Sequence, residues 1–173
     1  MTEQQLFDVI ARHPRFELRR YPAHVTADVE IIGSFESAGT SGFRPLIGYI
    51  SSGGVAMTAP VLQQPRDEVA DATSAGVYQV SFVMPAGRDV ASLPVPSDSR
   101  VVLREVPEHT AAVSRFSGRW TADSFRRHAS ALRADVQAAG WEPDGSMRWA
   151  RFDPPWTPWF MRHNEVVLPV RAS

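Results

Sequence analysis

The chain contains no cysteine. That absence removes disulfides, thiolate zinc sites, a cysteine nucleophile and covalent C-x-x-C-H attachment of a cofactor together. An excess of one charge is also missing: 18 arginines, with no lysine, against 19 aspartates and glutamates give a formal charge of -1, with the signs interspersed. No basic stripe is present to neutralise phosphates, so nucleic acid is not expected as a partner. No run of eighteen apolar residues occurs, and the opening 1-MTEQQLFDVIARHP-14 is too short in apolar run for a signal peptide, so a cytoplasmic location without membrane insertion is expected. None of the five histidines has a histidine at i+4 or a carboxylate in ligand spacing, and H-E-x-x-H and G-x-S-x-G are both absent. Neither a built-in metal cluster nor a serine hydrolase elbow is expected from spacing.

What is present is a globular composition, 43% hydrophobic and 21% charged over 173 residues, which suits one domain. Thr2 followed by Gln5 resembles a capping box, with Leu6, Val9 and Ile10 on one face, so residues 1–15 read as a short helix or strap before the main domain at 16–173. Residues 16–21 and the alternating 25-VTADVEI-31 read as strands, the second half-buried. Beyond Ser34, the residues Ala38, Phe43, Leu46, Ile47 and Ile50 suit a helical face, although Gly39, Gly42 and Pro45 make it a poor, kinked helix. Strand signals follow at 55–62 and 77–84, with a polar loop at 63–76. The order then returns: strands at 101–106 and 109–116, a helix capped by Thr121 and carrying Phe125, Ala129, Leu132 and Val136 on one face, and strands at 147–152 and 164–170. Corresponding elements are offset by about 85 to 87 residues, which makes two β-β-α-β-β units, about 16–86 and 101–170, the economical description. The expected fold is therefore α+β: paired sheets in a barrel-like structure with two outer helices.

The segment 152-FDPPWTPWFMRHNEVVLPV-170 concentrates prolines and aromatics in a loop. Each large ring left in water forfeits roughly 1.5–3 kcal/mol, so Trp156, Trp159 and Phe160 must meet either the barrel's own end or a flat apolar ligand. Arg151, Arg162 and His163 flank the loop and would suit a planar molecule with carboxylates at its rim.

The segments 17-ELRRYP-22, 55-VAMTAPV-61, 81-SFVMPA-86, 93-LPVP-96, 115-RFSG-118 and 153-DPPWTPWFMRHNEV-166 resemble, in order, the motif series of the SOUL haem-binding family, across nearly the whole chain. The resemblance implies a distorted eight-stranded antiparallel barrel of duplicated halves with two helices outside. It also implies non-covalent binding of haem (heme b) or a related tetrapyrrole, for buffering or transport. Carried over by motif, the binding positions are Thr40, Phe43, Arg44 and Ile47 on the first helix and Trp156, Trp159 and Phe160 in the loop; Arg44, Arg162 or Arg151 would then pair with the propionates. Two departures matter: Arg20 stands where some members carry a histidine proposed as an axial ligand, and Thr157 replaces a basic loop residue. Conversely, His163 stands where an arginine is usual and becomes a candidate axial ligand if its strand face, shared with Met161 and Glu165, looks into the cleft; otherwise Arg162 faces the ligand. This reads as a ligand-binding protein. The alternatives are a small hydrolase or tetrapyrrole-modifying enzyme using Glu165 or Glu105 as acid or base, and a protein-interaction module presenting the aromatic loop.

Overall fold

The computed structural model describes residues 2–66 and 76–173. Its strands are β1 (Glu3–Gln4), β2 (Asp8–Arg12), β3 (Glu17–Tyr21), β4 (His24–Gly33), β5 (Thr58–Ala59), β6 (Val61–Pro65), β7 (Gly76–Val83), β8 (Val102–Val106), β9 (His109–Phe116), β10 (Trp141–Pro143), β11 (Arg148–Arg151) and β12 (Asn164–Ala172). Two helices, α1 (Phe35–Gly53) and α2 (Ala122–Ala138), complete an α+β fold. One large antiparallel sheet runs β2-β3-β9-β12-β11-β6-β7-β4-β8, with β10 added on β12. Exchanging β3 with β8, β4 with β9, β6 with β11 and β7 with β12 reverses the order from β3 to β8 onto itself. The two β-β-α-β-β units therefore meet at the β6–β11 ladder. Among the described residues no ladder joins β8 back to β2 or β3, so hydrogen bonding leaves the ring open.

Both helices pack on one face of this sheet. Phe125, Leu132 and Val136 of α2 are buried with Leu18, Trp149, Val166 and Leu168, and each such side chain contributes roughly 1.5–3 kcal/mol. Thr121 caps α2 as its sequence requires, accepting from the Ser124 amide at 3.1 Å. The first helix is a single helix despite its glycines and Pro45: Ser34 and Ser37 form a capping box, and Gly54 closes the other end at φ 64. Its glycines have a packing reason. A Cβ on Gly42 would lie 2.7 Å from the Val80 side chain, so the bare backbone lets α1 settle directly on β7.

Three expectations change. Glu3–Gln4 and Asp8–Arg12 form β1 and β2, not a helix, because Val9 and Ile10 are β-branched and the edge of β3 supplies ladder partners for Asp8, Val9, Ala11 and Arg12. The strand expected over 55–62 is divided by a cis Ala59–Pro60 bond into β5 and β6. Finally, β4 is buried on both faces over Val25 to Val29: Val25, Ala27 and Val29 pack with Leu46 and Ile50 of α1, and Thr26 and Asp28 on the other face are buried as well. Of the loop expected at 63–76, residues 63–65 belong to β6, and 67–75 lie outside the described residues.

Candidate functional site

The aromatic loop leaves β11 at Arg151 and re-enters the sheet at Asn164. Its frame is tied by its own chain: the Phe152 amide donates to the His163 carbonyl (3.3 Å), the Thr157 amide to Pro154 (3.1 Å), and the His163 amide to the Asp153 carboxylate. A short 3-10 turn over Trp159–Met161 follows Pro158. Arg162 turns back under the loop, donating from Nε to the Thr157 carbonyl and from Nη2 to the Pro155 carbonyl, both at 2.9 Å. The segment before α2 holds the loop's other flank. Gly118 donates to the Trp159 carbonyl (3.1 Å), and the Arg119 guanidinium lies 5.4 Å from the Trp159 ring centre. With its frame so fixed, the loop points its rings outward: Trp156 is 83% exposed, Phe160 61%, Met161 67% and Trp159 48%. They do not plug the sheet.

Beneath the loop, Trp120 lies between two guanidinium groups, with Arg162 4.4 Å and Arg151 4.8 Å from its ring centre. Its indole N–H donates to Asn164 Oδ1 (2.6 Å), which fixes the ring's orientation. Arg151 reaches across to α1, where it occupies the space a Cβ on Gly39 would need. Its hydrogen-bond partner is Gln63 Oε1 at 3.3 Å, and no ion pair is formed by Arg151 or Arg162 among the described residues. Burial, and then the neighbouring charge of Arg162, push Arg151 down to about 10, still charged at neutral pH. The series Gly39, Arg151, Trp120, Arg162 thus joins α1 to the loop and places two cations without carboxylate partners between them.

On α1, Thr40, Phe43 and Arg44 are exposed and Ile47 is half-buried against the core. Phe43 makes its ring contact with Phe82, edge-on at 5.3 Å, so it meets the sheet and not the loop. Arg162 is brought together with the loop; on α1 it is Gly39, not one of the four expected positions, that Arg151 meets. Trp120 escaped the sequence reading, although its place between Arg119 and the helix cap was visible.

His163 faces the other side of the sheet. Its ring stacks flat on Phe152, at 4.0 Å and 4°, and its Nε2 lies 2.9 Å from Glu165 Oε1. That nitrogen is engaged, while Arg162 occupies the helix side. Glu165 also receives both terminal nitrogens of Arg19, at 3.0 and 3.1 Å. Burial by itself would raise the Glu165 carboxyl, but the hydrogen bonds and charges of His163 and Arg19 outweigh it and hold the group below its ordinary value. Glu105, the other acid considered, is exposed on β8. Among the described residues no cluster of three metal-ligating side chains occurs.

The sequence profile described as "SOUL heme-binding protein" matches residues 2–169. The chain belongs to this SOUL heme-binding family. No functionally curated sequence matches it. Among solved structures, this SOUL chain is similar to the EcmrR C-terminal domain, with a TM-score of 0.71 at 18% identity, covering 97% of this chain and 99% of that one. A hydrolase from Listeria innocua matches with a TM-score of 0.64 at 13% identity, covering 94% of each chain. At such identities the likeness is one of fold. No helix among the described residues is long and apolar enough to cross a membrane.

Proposed function

We propose that the protein binds haem or a related tetrapyrrole non-covalently against the aromatic loop, with its propionates directed at Arg162 and Arg151. Membership of the haem-binding family supports the ligand class. The observation that carries the location is a rigidly framed loop that leaves Trp156, Trp159, Phe160 and Met161 in water beside two arginines without acidic partners. Exposed rings on a frame already ordered lose little entropy when a flat guest covers them, so most of the burial energy is available for affinity. Arg44, exposed on α1, and Thr40, Phe43 and Ile47 extend the same side of the sheet as a second wall. With Nε and one Nη2 hydrogen given to loop carbonyls, Arg162 keeps Nη1 and the second Nη2 hydrogen for a propionate.

The residues fit a tetrapyrrole held by its faces and its acids better than one held through iron. His163 directs Nε2 at Glu165 on the opposite side of the sheet, so using it as an axial ligand would cost that bond and require the ring to leave Phe152. When bound, haem would supply its visible absorption and redox-active iron, and this chain supplies the apolar surface and the cations.

Haemin titration tests the reading. Saturation near one equivalent is expected, with a sharpened Soret band and quenched tryptophan emission. The double variant Trp156→Ala/Phe160→Ala, whose rings are mostly in solvent, should bind at least tenfold more weakly with unchanged circular dichroism. An unaltered affinity in that variant would remove the loop from the site. A haemin-free mass that rises with protein concentration, and falls in the same variant, would instead assign the loop to a protein contact.

A further inference from the structure

The sheet face away from the helices carries a second cluster, beneath the N-terminal strap, that the tetrapyrrole reading does not use. Strand alternation places it there: Trp149 and Arg151 look toward the helices, so Arg148 and Ala150 look the other way, together with Arg19, Tyr21, Glu165 and Val167. They surround a cavity of about 10 Å³, room for about one water, closed above by Phe7 of the strap.

The charges around this cavity do not balance. Arg19 is paired with Glu165 and with Glu17, and Glu17 is shared with exposed Arg12. Arg104 is taken by Asp28 at 2.8 Å. Among the described residues Arg148 has no acidic partner. Nη2 reaches His109 Nε2 at 3.1 Å, and Nε is sealed from solvent with no hydrogen-bond partner among those residues. The residue as a whole keeps partial exposure, while its Nε is enclosed beneath the strap. Neither histidine nearby supplies a counter-charge. His109 gives its Nδ1 proton to the Pro107 carbonyl (3.0 Å), which leaves Nε2 to accept from Arg148. His24 uses Nδ1 on Pro22 in the same way (2.7 Å) and turns Nε2 to Gln5 of the strap (3.3 Å). A guanidinium with an unused donor, one positive charge in excess, and apolar walls of Phe7, Tyr21, Leu62 and Phe152 describe a receptor for one negative charge on a greasy body.

We propose that Arg148 and the strap form a binding site for a small apolar monocarboxylate, its carboxylate accepting from Arg148 Nε and its body lying against Phe7, Tyr21 and Phe152. A single anionic charge matches the single excess cation, and a dianion would enter with a charge unmatched. Any body larger than a water requires the strap to lift, and the strap is lightly held. Its ties at this end include the two-residue β1–β5 ladder, the Gln5 amide on the Ala59 carbonyl (2.9 Å), the Gln5 side chain on His24, the Glu3 carboxylate on the Ala86 amide (2.9 Å), and Phe7, which rests 4.0 Å over the Arg19 guanidinium and 5.8 Å from the Tyr21 ring. Leu6 and Ile10 remain exposed. The strap is thus the site's lid.

Benzoate is the probe, titrated into the full chain and followed by calorimetry and by the NMR signals of Arg148 Nε–H and the Gln5 to Phe7 amides. Saturable binding that moves these signals is expected, with benzylamine inert and inorganic phosphate at least tenfold weaker. Arg148→Gln should weaken benzoate at least tenfold while leaving haemin titration unchanged, and Arg148→Lys should recover part of the loss. Should Arg148→Gln fail to fold, the wild-type Arg148 Nε–H signal decides alone. Benzoate binding without movement of that signal, or with shifts centred on Arg162 and Trp159, would overturn the site. Equal binding of phosphate would overturn the ligand class.

Discussion

Replacing Glu165 by glutamine is expected to destabilise the protein by about 3 kcal/mol at neutral pH. Arg19 and Glu165 are almost completely enclosed, 7% and 2% exposed, and share two hydrogen bonds, with His163 adding a third to the carboxylate. Removing one partner of such a pair typically costs 3–5 kcal/mol, because the other charge stays buried without compensation. The lower end applies because Glu17 still accepts from Arg19 Nε at 3.0 Å. Glutamine would also turn an amide donor toward a guanidinium that can only donate. The double variant Arg19→Met/Glu165→Met buries no charge and should lie within about 1 kcal/mol of the wild type. Urea unfolding followed by circular dichroism of the wild type, Arg19→Met, Glu165→Met and the double variant closes a cycle that isolates the pair, with Glu165→Gln measured beside them. A Glu165→Gln loss below 1 kcal/mol, or a double variant weaker than both singles, would refute the reasoning. The carboxyl's depressed folded value fixes the sign with pH: this stability is present above the ordinary carboxylate range and disappears as pH falls through the lower folded value. A carboxylate clamped in its charged form also has little tendency to carry a proton at neutral pH, which weakens Glu165 as a general acid.

Two further predictions concern α1 and the histidine pair. Gly39→Ala places a methyl group where the Arg151 guanidinium sits; the helix gains up to about 1 kcal/mol in propensity, while displacing Arg151 from Trp120 forfeits roughly 0.5–2 kcal/mol. Unfolding free energy should therefore change by no more than about 1 kcal/mol while haemin affinity falls severalfold, and an unchanged affinity would separate Arg151 from the guest. His109 is lowered to about 4, first by burial and then by the charge of Arg148. The unfolded chain therefore binds its proton first, so stability is full above about 6.5 and declines as pH drops toward 4. After discounting for partial exposure the decline amounts to about 1–2 kcal/mol, and His109→Asn should flatten that part of the curve.

Much of the fold was legible because its signals are local. Thr121 before a four-residue-spaced apolar stripe fixed α2, and the turn at Pro107–Glu108 placed β8 and β9. The strap was misread because Leu6, Val9 and Ile10 satisfy a helical spacing, and what decides for strand is pairing with β3, which is itself held in the sheet on its other edge by the distant β9. The glycines of α1 counted against a helix locally, yet they allow close approach of Val80 and Arg151, a tertiary reason that no window of sequence contains. At the site, aromatic density and proline spacing identified the loop. Whether its rings turned in or out depended on ties such as Gly118 to Trp159 and Arg162 to Pro155, which join residues far apart or fold the chain back on itself. Alternation did separate Arg162 from His163 across the strand, but which face carried the helices needed the whole sheet.

Paramagnetic broadening of the protein's NMR signals by haemin decides whether the flat guest lies on the helix side, against the outward rings of the loop. Selective loss of signals is expected from Thr40 to Ile47, Arg119, Trp120 and Pro155 to Arg162, with Phe7, Tyr21, Arg148 and Glu165 preserved. Broadening centred on those last four residues, with the loop's tryptophans untouched, would contradict that placement.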